Sequence, residues 1–223
     1  MSKRVAVVLS GCGFYDGAEI YEATLTLLHL SQAGAQVQCF APDIPQMHVV
    51  NHLTGEVVEN ETRNVLVEAA RIARGNIKPM TEACVQDFDA LIVPGGFGAA
   101  KNLCDFFLYS QAVNGAAMQV QKDFLTFAQA MHKAGKPVGL ICIAPVMAAA
   151  ICGADVKTTI GNDAGTAAAV NATGAQHCEC AVQDICVDHD KKLVTTPAYM
   201  LAQSIAEAYE GIGKLVKEVL VLA

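Results

Sequence analysis

The chain has 223 residues and a mass of 23.4 kDa; 53% of them are hydrophobic and only 17% charged, which excludes intrinsic disorder. Lys and Arg number 15 against 22 Asp and Glu, giving a net charge of -7, and basic residues come at most in adjacent pairs, so no nucleic-acid surface is expected. The apolar start Val5 to Leu9 is too short for a signal-peptide core, and the 18 uncharged residues between Lys136 and Asp155 are broken by Pro137, Gly139, Pro145 and Gly153, so no membrane span is expected.

Strand and helix periods alternate along the chain. Arg4 to Leu9 reads as a buried strand, Ala18 to Gln32 as a helix ending before Gly34, and Gln36 to Ala41 as a strand stopped by Pro42. Thr62 to Ala73 is an amphipathic helix and Ala90 to Val93 a strand broken by Pro94-Gly95-Gly96. Gly115 to Ala134 reads as a long helix, Pro137 to Ile141 as a strand and Pro145 to Ile151 as a helix. Weaker signals give strands at Val156–Ile160, Ile185–Val187 and Lys192–Thr195, a helix at Ala164–Ala172, and a helical segment from Ala198 to Leu222. The alternation predicts one α/β domain over 1–223, with a mostly parallel sheet covered on both faces and ligands at the carboxyl ends of its strands. The segment Pro42 to Thr81 exceeds a simple crossover and reads as a lid or dimer contact.

Nine cysteines, an odd number without a Cys-x-x-Cys pair, argue against a secreted disulfide framework. Free thiols in a reducing compartment lead to the expectation of a cytoplasmic protein. Cys142 stands apart, since an apolar strand runs into it and a helix follows with Pro145 in its first turn. That is the layout of a nucleophile elbow, without its G-x-S-x-G pattern, and a helix N-terminus there would depress the thiol pKa and make Cys142 the first thiol to alkylate. The alternative is a buried Cys ending a core strand, and spacing alone leaves both open.

Gly95 and Gly96 follow the neighbouring strand, where their backbone N–H groups and that of Ile143 could form an oxyanion hole; a tight turn would equally explain the glycines. Gly11, Gly13 and Gly17 follow the first strand as G-x-G-x-x-x-G, with Asp43 placed as a ribose-binding acid would be, a weak dinucleotide signal. Glu19 and Glu22 open the first helix, and Glu22 is the one read as pointing inward, where burial would raise its pKa; both acids would also suit any helix N-terminus. His177-Cys178-Glu179-Cys180 alternates across a strand, so its donors do not converge, and no metal is expected. His29 reads as a packed helix histidine and His52 as a turn residue bordering the site.

The phrases Leu9 to Glu22, Pro94 to Asn102, Cys142-Ile-Ala-Pro145 and Val194 to Met200 resemble the ElbB family of isoprenoid-biosynthesis glyoxalases, within the PfpI-like, class I glutamine-amidotransferase-like superfamily. The resemblance implies a flavodoxin-like three-layer α/β sandwich, a homodimer, and conversion of glyoxal to glycolate without a cofactor. It matches the nucleophile to Cys142 and the helix carboxylate to Glu22. PfpI-type members place a His after the Cys where Ile143 stands here, and the amidotransferase His-x-Glu has no counterpart near the chain end, His177-x-Glu179 lying too early. The expectation is a dicarbonyl-processing Cys enzyme, with a protein deglycase or a non-enzymatic electrophile or redox sensor on the same thiol as the alternatives.

Overall fold

The computed structural model describes residues 2–108, 111–112 and 117–223. Its first apolar run forms β1 (Arg4–Val8), in which Val5 to Val8 are all wholly buried. Successive side chains on a strand point to opposite faces, so a run buried at every position is covered on both. The same holds for β4 (Ala90–Val93) and β5 (Val138–Ile141). The remaining strands of the central sheet are β2 (Gln36–Ala41), β3 (Ile77–Pro79), β6 (Cys186–Asp188) and β7 (Leu193–Thr196).

These seven strands lie in the order β6-β7-β5-β4-β1-β2-β3, and all pairs are parallel except the antiparallel edge pair β6–β7. This is a flavodoxin-like α/β fold. After β1 the chain first builds outward through β2 to β3, then returns to add β4 on the other side of β1. The strand order therefore reverses beside β1, and the carboxyl ends of β1, β4 and β5 border the resulting crevice.

The α-helices among the described residues are α1 (Ile20–Gln32), α2 (Val65–Ile72), α3 (Phe97–Lys101), α4 (Lys122–Lys133), α5 (Ala148–Cys152), α6 (Ala164–Ala172) and α7 (Ile205–Leu222). α1 packs along α7, which lies over β5 and β7; α4 packs on β4 and β5 and against α5. Gly139 on β5 makes room for α7, because a Cβ there would sit 3.0 Å from Leu215 and 3.1 Å from Val219.

Several boundaries differ from the periodic reading, each for a local reason. The helix expected from Gly115 begins at Lys122, where Gln121 caps the Phe124 N–H; Gly115 itself lies outside the described residues. The helix expected from Pro145 is a 3-10 turn over Ala144–Met147 that passes into the five-residue α5. The segment expected to be helical from Ala198 is a 3-10 turn at Ala198–Met200 followed by α7, which Ser204 caps through the Glu207 N–H. β3 carried no periodic signal because it is three residues long and contains Pro79; a proline is tolerated there because the strand is at the sheet edge. Between β2 and β3, Val50–Asn51 and Glu56–Val57 pair as a short antiparallel ribbon. Among the described residues no helix is long and apolar enough to cross a membrane.

Candidate active site

Four turns converge at the carboxyl edge of the sheet. β5 ends at Ile141, and Cys142 adopts φ +63°, a left-handed conformation that costs a non-glycine residue on the order of 1 kcal/mol or more. The Cys142 N–H donates to the Thr196 carbonyl over 2.9 Å, which extends the β5–β7 ladder by one bond and anchors the turn. Such strain persists only where surrounding contacts over-determine it.

β4 runs into Gly95 and Gly96. A Cβ on Gly95 would stand 2.4 Å from the Cys142 Cβ, 2.7 Å from the Ile141 carbonyl oxygen and 2.8 Å from Glu22 Oε2. Gly96 has φ +90°, and a Cβ there would lie 2.3 Å from the Glu19 nitrogen. Both glycines are therefore required by close packing of backbone on backbone.

Glu22 reaches this point from the first turn of α1 and is wholly buried. Its Oε2 accepts the Gly95 N–H over 2.9 Å and its Oε1 the Tyr199 N–H over 3.1 Å. The carboxyl also hydrogen-bonds the Cys142 thiol. Burial, then repulsion from Glu19, pushes the Glu22 pKa up to about 8 against the pull of these hydrogen bonds, so the carboxyl holds its proton at neutral pH.

The Cys142 thiol is pushed well above its ordinary value by burial and by repulsion from Glu22, while the N–H groups of Gly96 and Ile143, which hydrogen-bond the sulfur, oppose the shift. The depression expected from a helix terminus is outweighed by burial: the following turn is 3-10, α5 has five residues, and Cys142 is only 7% exposed. The two shifts are linked. Glu22 repels a thiolate only when it is itself ionised, and it keeps its proton to about pH 8. At neutral pH the protonated carboxyl therefore adds no charge repulsion to the sulfur beside it.

The site opens into a cavity of about 170 Å³ lined by Phe14, Glu19, Gly96, Phe97, Cys142, Ile143, Tyr199 and Met200. This is below the ~300–1,000 Å³ of pockets for drug-sized ligands, so the space suits a molecule of a few heavy atoms. Two positions, Gly95 and His52, differ from the sequence reading. Gly95, expected to offer its N–H to an oxyanion, spends it on Glu22. Glu19 precedes the helix as its cap, accepting the Glu22 N–H over 2.7 Å, and lines the cavity, and burial raises its pKa. His52 does not line the cavity: it packs against the Gly11–Gly17 loop, taking the Tyr15 N–H over 3.3 Å.

The dinucleotide signal also dissolves into backbone contacts. The Gly13 and Gly17 amides bond within the loop, Phe14 and Gly17 carbonyls accept from Phe97 and Gly98, and Asp43 takes the Asn64 side chain. Tyr199, whose N–H helps hold Glu22, was not legible as a site residue; the strained Ala198 before it, at φ +43°, is visible only in three dimensions.

Comparison with known proteins gives the family and the fold. The description "DJ-1/PfpI family" matches residues 3–208. The human protein named glutamine amidotransferase-like class 1 domain-containing protein 3, mitochondrial, is 49% identical over 98% of this chain and 83% of its own length. The rat ES1 protein homolog, mitochondrial, is 50% identical over 98% of this chain and 84% of its own length. The crystal structure of an isoprenoid biosynthesis protein with an amidotransferase-like domain from Ehrlichia chaffeensis superposes with a TM-score of 0.90 at 34% identity, covering 99% of both chains. The mitochondrial relatives overturn the expectation of a cytoplasmic protein, which rested on free thiols; thiols report a reducing environment and do not distinguish one reducing compartment from another. Elbow, glycine turn, helix carboxyl and these matches together place the chain in the DJ-1/PfpI family.

Proposed function

We propose that the protein is a cofactor-independent glyoxalase, converting glyoxal and other small dicarbonyls to the 2-hydroxy acid through a hemithioacetal on Cys142. The observation that carries this reading is Cys142, which lines a cavity of about 170 Å³, hydrogen-bonded to a buried carboxyl whose pKa is pushed up to about 8. A general acid–base group works best with a pKa near the operating pH.

The sulfur bonds to one carbonyl carbon, and the thiol proton ends on that carbonyl oxygen. The N–H groups of Gly96 and Ile143, turned on the sulfur in the free protein, are the donors available to the oxygen as charge develops. Ionised Glu22 takes the hydrogen of the first carbon as a proton and returns it to the second carbon, while the hydroxyl proton of the first carbon passes to the oxygen of the second, leaving a thioester. The first carbon is oxidised and the second reduced, so the electrons balance within the substrate. Water then cleaves the resulting thioester, releasing glycolate and restoring the thiol.

The sensor alternative would use the same Cys142 thiol, and turnover separates the two, since a sensor would consume about one aldehyde per thiol and stop. The small cavity weighs against a deglycase, whose glycated side chain would have to bring its stem past Phe14, Phe97, Tyr199 and Met200. Self-association as a homodimer is part of the proposal; exposed Ile20, Tyr21 and Leu28 on α1, beside exposed Ile205 and Tyr209 on the adjoining α7, support it.

The deciding experiment mixes purified protein with ¹³C-glyoxal and counts glycolate by NMR. Many glycolates per chain support the reading. Consumption of about one aldehyde per Cys142, with no glycolate released, would sink it.

A further inference from the structure

A second cavity, about 200 Å³, shares the Phe97 ring with the Cys142 cavity and is otherwise lined by Tyr15, Val50, Gly55 and Lys101. Lys101 ends α3 and is only 5% exposed. Its Nζ donates to the Tyr15 carbonyl over 3.0 Å and stands 5.7 Å from the centre of the Phe97 ring. An ammonium has three donors, and this carbonyl takes one.

Among the described residues no carboxylate comes within ion-pair distance of Lys101. Asp16 exerts the acidic influence on it from beyond ion-pair distance, with one carboxylate oxygen held by the Val50 N–H at 2.7 Å. A buried charge without a counter-ion is costly, and burial accordingly lowers the Lys101 pKa. An anion entering the cavity would relieve that cost.

We propose that the Lys101 cavity binds a small carboxylate, with its head on the Lys101 ammonium and a short carbon tail against Phe97 and Val50. The walls choose this chemistry. One ammonium suits the single charge of a carboxylate, whereas a phosphate site gathers several N–H donors or an Arg fork. Phe97 and Val50 offer apolar surface that a bare inorganic anion cannot use. The site is separate from the chemistry at Cys142 and does not depend on the glyoxalase reading.

The test titrates the intact protein with butyrate and, in a second arm, with inorganic phosphate, by calorimetry. Saturable butyrate binding tighter than phosphate is expected, and Lys101→Met should weaken it at least about tenfold, the weight of one lost charge-assisted hydrogen bond. Cys142→Ala should bind butyrate as the native protein does. As a check that needs no variant, butyrate should slow acetylation of Lys101 by acetic anhydride while leaving that of Lys191 and Lys192 unchanged. Phosphate binding more tightly than butyrate, unchanged affinity in Lys101→Met, loss of binding in Cys142→Ala, or Lys101 acetylation indifferent to butyrate would each overturn the assignment.

Discussion

Glu22, in the first helix, accepts a 3.1 Å hydrogen bond from the backbone N–H of Tyr199, 177 residues further along the chain. With the Gly95 N–H on the other oxygen, both carboxyl oxygens are pinned by backbone, and the acid proton is left for the Cys142 sulfur. The proton-bearing group of the proposed chemistry is therefore oriented by main chain from two distant turns. Several outcomes depend on that arrangement.

Cys142→Ala removes the attacking atom, and glycolate production from glyoxal should fall to the level of buffer. Glu22→Gln keeps the shape but cannot relay a proton, and turnover should drop about a hundredfold to ten-thousandfold. The covalent adduct with glyoxal should still form, visible by intact-protein mass spectrometry. Normal turnover in Glu22→Gln would remove Glu22 from the mechanism.

The rate should follow ionisation of Glu22, rising with pH through about 8. Repulsion from Glu19 contributes to that raised pKa, so Glu19→Gln, which retains a side-chain oxygen for the helix cap, should move the rising limb to lower pH. A pH–rate profile of the two proteins reads this directly. A limb that stays in place, or moves to higher pH, would show that Glu19 does not act on Glu22 through its charge.

Stability should carry the same titration. The Glu22 pKa is about 8 in the folded protein against an ordinary 4.5, so the folded state binds the extra proton. Its contribution is fully present below pH 4.5 and is lost as pH rises through 8, a fall on the order of a few kcal/mol. Glu22→Gln abolishes this slope, though its amide must set an N–H₂ against the Gly95 or Tyr199 N–H, at a cost of about 1–3 kcal/mol. Urea midpoints should favour the native protein at pH 5 and lose that advantage by pH 9. A difference constant with pH would contradict the buried proton.

Alkylation should be ordered by access rather than by acidity. Cys84 is the exposed thiol and should react first, including with bulky maleimides. Cys142, at 7% exposure with its thiol pushed up, should react more slowly and only with reagents small enough for its cavity. Peptide mapping after brief iodoacetamide and maleimide treatments separates the two; Cys142 labelled first by both would restore a low-pKa thiolate.

Gly95→Ala should fail for steric reasons, because the new methyl would meet the Ile141 carbonyl and the Cys142 Cβ well inside contact distance. Loss of turnover together with a destabilisation of about 1–3 kcal/mol or more is expected, measured as a lowered urea midpoint. Native-like stability would mean that the glycine turn is looser than its geometry.

The amino-acid sequence by itself determined the elements with strong local signals. The apolar runs Val5–Val8 of β1, β4 and β5 declare strands buried on both faces, and Gln36–Ala41 and Ala164–Ala172 are bounded by local stops and caps. A strand breaking at Cys142 just before Pro145, and another at Gly95-Gly96, marked two corners of the site, because turn chemistry is a property of neighbouring residues. Tertiary structure alone decided the rest. The protonation of Glu22 follows from desolvation, which packing creates, and the raised thiol of Cys142 follows from burial beside that carboxyl. Tyr199, Glu19 and Lys101 acquire their places from contacts across the fold, and the three-residue edge strand β3 exists because β2 offers it a ladder. Local pattern reports what a segment prefers; charge state and convergence depend on which distant segments exclude water from it.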